Sequence, residues 1–435
     1  MADTTNSDHR YDDVVVGSGM GGAFVARELS RAGKDVLVLE AGQLETSVGT
    51  FKDTLRYYDG ARVSRSPRRS KEGVILWRTF MAGGSTVVAC GNGVRCLERQ
   101  LSERGIDLAE EFSALEVELG VHPLEERLIS EGGQAIRSAA SELGLTFQQM
   151  PKFVDAEKCT ACGKCAMGCA SHAKWTAEVP LADAVAHGAH VVYGVEVDRV
   201  LRDNGHAVGV AGLSGRKSFE ARADTVVLSA GGLGTPPILQ HSGIDAAGPG
   251  LFIDTLVNVY GESPDLNLIH EPQMSLVDVE FCEERGFLLS PFVNHPTAVR
   301  AIEAGASGMS MPDKHLLGIM IKSRDDPAGQ VFADGTVSKP VTQADQRRLD
   351  DGAALAREIL LKAGADPKSI IVSKPQGAHH GGTAAIGTVV DENLQTDVEG
   401  LFVCDASVLP EGPGLPPMLT IGALALRLGH TLATA

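Results

Sequence analysis

Basic residues are in the minority in this chain: 39 Lys and Arg stand against 56 Asp and Glu, for a net charge of −17. That balance excludes nucleic acid as a partner, since nucleic-acid binding needs clustered positive charge. Long apolar runs are also missing, so no transmembrane segment is expected. Met1 to Arg10 is polar without an apolar stretch, which predicts no secretory signal. No internal repeat or low-complexity tract appears. Cysteines number only eight. Four of them sit in one short run, while Cys90, Cys96, Cys282 and Cys404 are scattered. This is no disulfide framework, and it points to a reducing, cytoplasmic location. With 435 residues, 43% of them apolar, the chain should be globular, with one large domain or two intimate ones.

What is present begins with that run, Cys159-Thr-Ala-Cys162-Gly-Lys-Cys165-Ala-Met-Gly-Cys169. C-x2-C-x2-C-x3-C is the spacing of a ferredoxin-type iron–sulfur site. Gly163 and Gly168 let the backbone wrap closely around an inorganic core. Zinc sites usually pair two C-x2-C knuckles a dozen or more residues apart, and no second knuckle exists here. A cysteine-lined loop without metal is the plainer alternative. In two-cluster ferredoxins a proline follows the fourth cysteine, whereas Ala170 follows Cys169. Cys169 therefore closes a 4Fe-4S cluster, or a remote thiol does (Cys90 or Cys96), or three cysteines hold a 3Fe-4S core.

Near the N-terminus, Asp13–Val16 reads as a β-branched strand and Gly17-Ser18-Gly19-Met20-Gly21-Gly22 as a turn. A helix is expected over Ala23–Ala32 and a second strand over Val36–Leu39, ending at Glu40 and Ala41. In a G-x-G-x-x-G of this context, Gly17 makes the tight turn, Gly19 admits a pyrophosphate and Gly22 permits close helix–strand packing. The helix N-terminus favours phosphate charge. Glu40 is placed to accept a ribose hydroxyl. The motif predicts a bound dinucleotide but does not choose between NAD and FAD.

Further motifs make that choice. Met81-Ala-Gly83-Gly84-Ser85-Thr86 is a second glycine-rich loop. A hairpin-like pair, 189–201 and 217–228, leads into Ser229-Ala230-Gly231-Gly232. Near the end come Asp405-Ala406-Ser407 and Pro416-Pro417-Met418-Leu-Thr420. In this fixed order, from about Tyr11 to the C-terminus, the chain resembles the glucose–methanol–choline (GMC) oxidoreductases, flavoenzymes that oxidise alcohols and sugars. The match is weakest at about 240–315. The resemblance implies that Gly83, Gly84 and Ser85 approach the flavin and pyrophosphate, and that Val197 meets the adenine through its backbone. It also implies that Ala230 and Gly231 line the dinucleotide, that Asp405 and Ala406 start a helix facing the ribitol–pyrophosphate, and that Pro417 and Met418 pass the isoalloxazine. Some members bind flavin covalently through a histidine near the second glycine loop. Gly83–Gly93 holds none, so the FAD is expected to be non-covalent.

His379-His380-Gly381-Gly382-Thr383 resembles the family's active-site segment, with His379 at the place of the base and His380 as the alternative. Alcohol oxidation needs such a group to take the hydroxyl proton, and histidine titrates near working pH. The family's second histidine or asparagine, which binds the substrate oxygen, is replaced by Pro416 and Pro417, which offer no donor.

The fold class implied is α/β: a Rossmann-like FAD-binding domain in three pieces (11–100, 176–245, 385–435) and a reduced antiparallel-sheet substrate domain (255–384). Between them lies a helical segment with an inserted iron–sulfur loop (101–175). Strands are expected at 275–281, 316–321 and 370–372 and a helix at 343–363. Arg56, Arg62, Arg65, Arg68, Arg69 and Lys71 form a basic patch, read first as a solvated loop and otherwise as a cover for the pyrophosphate or a guide for an anionic substrate. The function expected is a dehydrogenase for a small alcohol or sugar-like substrate. Its electrons would leave through the cluster to an external acceptor, such as a ferredoxin or partner subunit. The alternatives are a flavin reductase running the other way, or an electron-transfer subunit with a degenerate site.

Overall fold

The computed structural model describes residues 9–60, 67–294 and 296–434. Two seven-stranded sheets organise them. In the first, Arg10–Val16 pairs in parallel with Val36–Glu40 on one side and Lys217–Leu228 on the other. His190–Tyr193 extends the parallel part beyond Val36–Glu40, and Leu401–Val403 joins the end of Lys217–Leu228. All five residues of Val36–Glu40 are buried, as a strand covered on both faces requires. Helix Met20–Arg31 packs against helices Glu178–Ala186 and Met418–Ala433. Glycines permit the close approach: a Cβ on Gly422 would lie 2.4 Å from the Met20 side chain.

The expected pairing of 189–201 with 217–228 is corrected. Gly194, at φ 76°, splits the first run into His190–Tyr193 and Val195–Asp203, which lie at opposite edges of the sheet. The hairpin partner of both neighbours is His206–Ser214. Its turn is Asn204-Gly205, both at positive φ, a two-residue connection that suits the strand twist.

The second sheet is mainly antiparallel, in the order Phe287–Pro291, Leu316–Ser323, Leu256–Glu262, Gln376–Gly377, Ile75–Leu76, Arg68–Arg69. Ile371–Val372 also pairs with Leu256–Glu262. Helix Gln343–Lys362 covers this sheet and starts at a capping box of Thr342 and Asp345. The expected strand at 275–281 is only Leu276–Val277. Asp278 then accepts from the Phe281 N–H and caps helix Val279–Arg285, so a side-chain cap ends the strand. Each sheet carries its own large apolar core. Among the described residues no helix is long and apolar enough to cross a membrane.

Candidate active site

The parallel strands of the first sheet all end on one side, and there a cavity of about 610 Å³ opens toward the second sheet. This is where α/β sheets place ligands. Gly17, at φ 100°, closes the first turn so tightly that a Cβ would meet the Ser229 carbonyl oxygen at 2.3 Å. Gly19 has open space instead and caps helix Met20–Arg31 with no side-chain bond, leaving free N–H groups facing the cavity. Glu40 accepts from the Ser18 N–H (3.0 Å), the Ser18 hydroxyl (2.6 Å) and the Gly42 N–H (2.7 Å), which fixes the turn against the second strand. The second glycine loop folds onto the first. Gly83 N–H donates to Ser18 Oγ, and a Cβ on Gly84 would stand 3.0 Å from Gly19 Cα. Asp405 accepts from the Gly231 N–H (2.8 Å), the Thr235 hydroxyl (2.6 Å) and the Ser407 N–H (2.7 Å), holding the third loop and starting a short 3-10 turn.

Gly17, Ser18, Gly19, Met20, Gly21, Glu40, Ala41, Gly84, Ser85, Val197, Ala230, Gly231, Asp405, Ala406, Pro417 and Met418 all line this cavity. Gly22 and Gly83 do not: they pack against the Gly17 carbonyl and the Glu178 side chain. The cradle fits a dinucleotide, with small residues and free N–H groups where phosphates need close approach. Arg78, absent from the sequence reading, adds a cavity-lining guanidinium that stacks on Phe80 at 4.2 Å and makes no ion pair among the described residues. Of the basic patch, Arg62 and Arg65 lie outside the described residues. Arg56 pairs with Glu45 and Asp53, and Arg68, with Asp59 as partner, reaches the cavity wall.

At the second sheet, His379 and His380 both line the cavity. They face different neighbours. His379 Nδ1 lies 2.9 Å from Asp254 Oδ2 and 3.5 Å from Lys322 Nζ. A charged Asp254 accepts from Nδ1–H, and in that tautomer the Nε2 lone pair is free. Asp254 is held in the left-handed region at φ 49°, and its other oxygen accepts from the Gly414 N–H. Burial pushes its carboxyl up to about 7, against the opposing pull of Lys322. Burial, then Lys322, keeps His379 well below the usual histidine range, so it rests neutral. His380 is pushed down to about 3 by burial and then by Arg78, and its Nε2 has no partner. Neither Asp254 nor Lys322 was legible as a site residue: each sits beside or at the end of a buried apolar strand, more than fifty residues from His379.

The cysteine loop forms part of the cavity wall through Ala166 and Met167. The hydroxyls of Tyr58 and Tyr57 donate to the carbonyls of those two residues. Cys159, Cys162, Cys165 and Cys169 are free thiols, Cys162 exposed and the others half-buried. Among the described residues, no three His, Cys, Asp or Glu side chains converge to hold a metal ion. The structure therefore does not assemble a metal site from this loop. Two buried lysines face it. Lys174 Nζ donates to Val87, Ala89 and Cys165 carbonyls, and Lys152 Nζ to the Cys90 carbonyl, the Asn92 side chain and the Gln273 carbonyl. Neither has a carboxylate at ion-pair distance among the described residues. Cys90 lines the cavity near Cys165. Cys96 instead bonds Thr420, away from the loop, and Cys404 is fully buried beside the first glycine turn.

A dinucleotide cradle facing a histidine–aspartate pair defines a flavin-dependent oxidoreductase. Comparison with known proteins agrees. Residues 11–253 and 319–425 match the N- and C-terminal parts of GMC oxidoreductase, and the chain belongs to that family. It is 30% identical to an uncharacterized protein of Methanocaldococcus jannaschii over 96% of this chain and 98% of that one. It is 26% identical to a long-chain-alcohol oxidase of Arabidopsis thaliana, over 96% of this chain and 66% of the oxidase. The fold is shared with pyridoxine 4-oxidase from Mesorbium loti (TM-score 0.74, 16% identity, 97% and 99% coverage). Aspergillus oryzae formate oxidase shares it too (TM-score 0.73, 15% identity, 98% of each chain).

Proposed function

We propose that this enzyme oxidises the CH–OH group of a small alcohol or sugar-like molecule, with His379 as the base. The observation that carries this reading is the His379–Asp254 pair at the substrate end of the dinucleotide cavity. FAD, held without a covalent bond by the three glycine-bearing loops, supplies the hydride acceptor. Asp254 keeps the proton on Nδ1, and Nε2 takes the hydroxyl proton. The apolar wall of Met274, Phe292, Val299 and Met320 excludes water around that transfer. His380, on the Arg78 side, is the weaker candidate.

Cys159, Cys162, Cys165 and Cys169 are the residues that would hold an iron–sulfur cluster, 4Fe-4S or 3Fe-4S. Two features support the donor set: the loop borders the flavin cavity, and Lys152 and Lys174 offer uncompensated positive charge to an anionic group. Bound there, a cluster supplies one-electron traffic toward an external acceptor, in a cytoplasmic enzyme.

The test is anaerobic flavin reduction by a panel of alcohols. His379→Ala should slow it about 10²–10⁴-fold with the flavin spectrum unchanged. Reduction at the wild-type rate would remove His379 from the site and favour the electron-transfer reading.

A further inference from the structure

Pro416 and Pro417 line the cavity, and neither can supply the side-chain donor that the family resemblance implies at their place. A donor is present on the facing sheet. Lys322 is the penultimate residue of the buried strand Leu316–Ser323 and is itself 1% exposed, yet it lines the cavity. Its neighbour in register is Leu256, two residues from Asp254, so the strand pairing brings its ammonium to His379. Among the described residues its one hydrogen-bond partner is His379 Nδ1, at 3.5 Å. That contact is long, and Nδ1 already gives its proton to Asp254 at 2.9 Å, so it offers Lys322 no lone pair. A buried ammonium with three donors thus has no well-placed acceptor among the described residues, beside the nitrogen-bearing group that accepts a proton.

We propose that Lys322 binds the substrate oxygen, in the place of the missing histidine or asparagine. The proposal rests on the alcohol-oxidation reading. The alcohol would give its hydroxyl proton to His379 Nε2 and its carbon-bound hydride to a bound flavin, its C–O bond becoming C=O. Lys322 donates to that oxygen throughout and changes no covalent bond. The charges suit a neutral substrate. Among the described residues Asp254 is the carboxylate at hydrogen-bond distance of His379, and its charged form is offset by the ammonium of Lys322. Partial negative charge develops on the oxygen as its proton leaves, and the ammonium is fixed there in advance.

The test uses flavin-loaded Lys322→Met, close in length and free of charge, and Lys322→Arg, which keeps the charge. Ethanol, 1-octanol and benzyl alcohol serve as reductants. Acetate serves as a non-oxidisable oxygen-anion probe, followed by perturbation of the flavin absorbance. Lys322→Met should keep its flavin, slow anaerobic reduction about 10²-fold, and weaken acetate binding at least about 10-fold. Lys322→Arg should hold acetate within a few-fold of wild type. If Lys322 only neutralised Asp254, the double variant Asp254→Asn/Lys322→Met, which loses both charges together, would bind acetate as wild type does, and that result overturns the proposal. If Lys322→Met fails to fold, Lys322→Gln takes its place with the same expected losses. Wild-type protein that no alcohol reduces would overturn the alcohol reading instead, while the acetate measurement still decides for or against Lys322.

Discussion

Asp13 lies on the central strand Arg10–Val16, 1% exposed, with Oδ2 unpaired. Burial pushes its carboxyl up to about 6, against the pull of Lys34. The folded state then holds a proton that the unfolded chain has already lost at pH 5, so stability falls as pH rises through about 4 to 6. At pH 7 the charged form costs roughly 3 kcal/mol. Asp13→Asn should raise the melting temperature of the flavin-free protein at pH 7 and flatten its dependence on pH between about 4 and 6. Thermal scans across that range check it. Unchanged slopes would mean that the carboxylate is solvated where the structure buries it. The same contrast between neighbours separates His379 from His380, which are adjacent in sequence. The histidine pair was legible as a pair. Which member meets a carboxylate depends on Asp254, 125 positions away, and no local pattern announces that contact.

The strand–turn–helix–strand at 10–40 was readable because its parts are contiguous: β-branched residues, glycines at fixed spacing, then an amphipathic helix. The glycines there do two different jobs. A Cβ at position 21 would lie 1.8 Å from the Cys404 carbonyl oxygen, whereas one at position 19 meets nothing within 4 Å. Gly19 is at φ −71°, open to alanine. Gly19→Ala should therefore leave the flavin-free fold within about 1 kcal/mol of wild type and lower FAD affinity at least about tenfold, since its methyl occupies phosphate space. Gly21→Ala should unseat the helix from strand Leu401–Val403 and lose both stability and FAD. Thermal scans and flavin-fluorescence titrations distinguish the two; equal effects would contradict this division of roles. Elsewhere the elements were harder to read. The Asn204-Gly205 turn was a visible hairpin signal, but the alternation after it is broken by Gly209 and Gly212, each pressed against a neighbouring backbone. Strand Leu256–Glu262 is buried at most positions and shows no period, so only its partners reveal it.

At the scale of the molecule, the cavity lies between two sheets that share little sequence continuity. Strands from 68–76 and 376–377 enter the second sheet from either end of the chain. The cysteine loop meets this frame on one side only. Ala166 and Met167 turn toward the cavity, while Cys162 turns outward to solvent. FAD-facing loops and thiols therefore belong to different segments, joined through Lys152, Lys174 and the two tyrosine hydroxyls. Losing a thiol should not disturb the glycine cradle. Protein purified without oxygen should contain about three or four irons per chain, with acid-labile sulfide. Cys162→Ser should lose most of that iron and keep its full complement of FAD. Chelation of the wild-type protein should have the same outcome. Iron-free wild-type protein, even after anaerobic reconstitution, would leave the loop as a plain wall of the cavity. Loss of flavin together with iron would show instead that the two sites depend on one another through the lysine contacts.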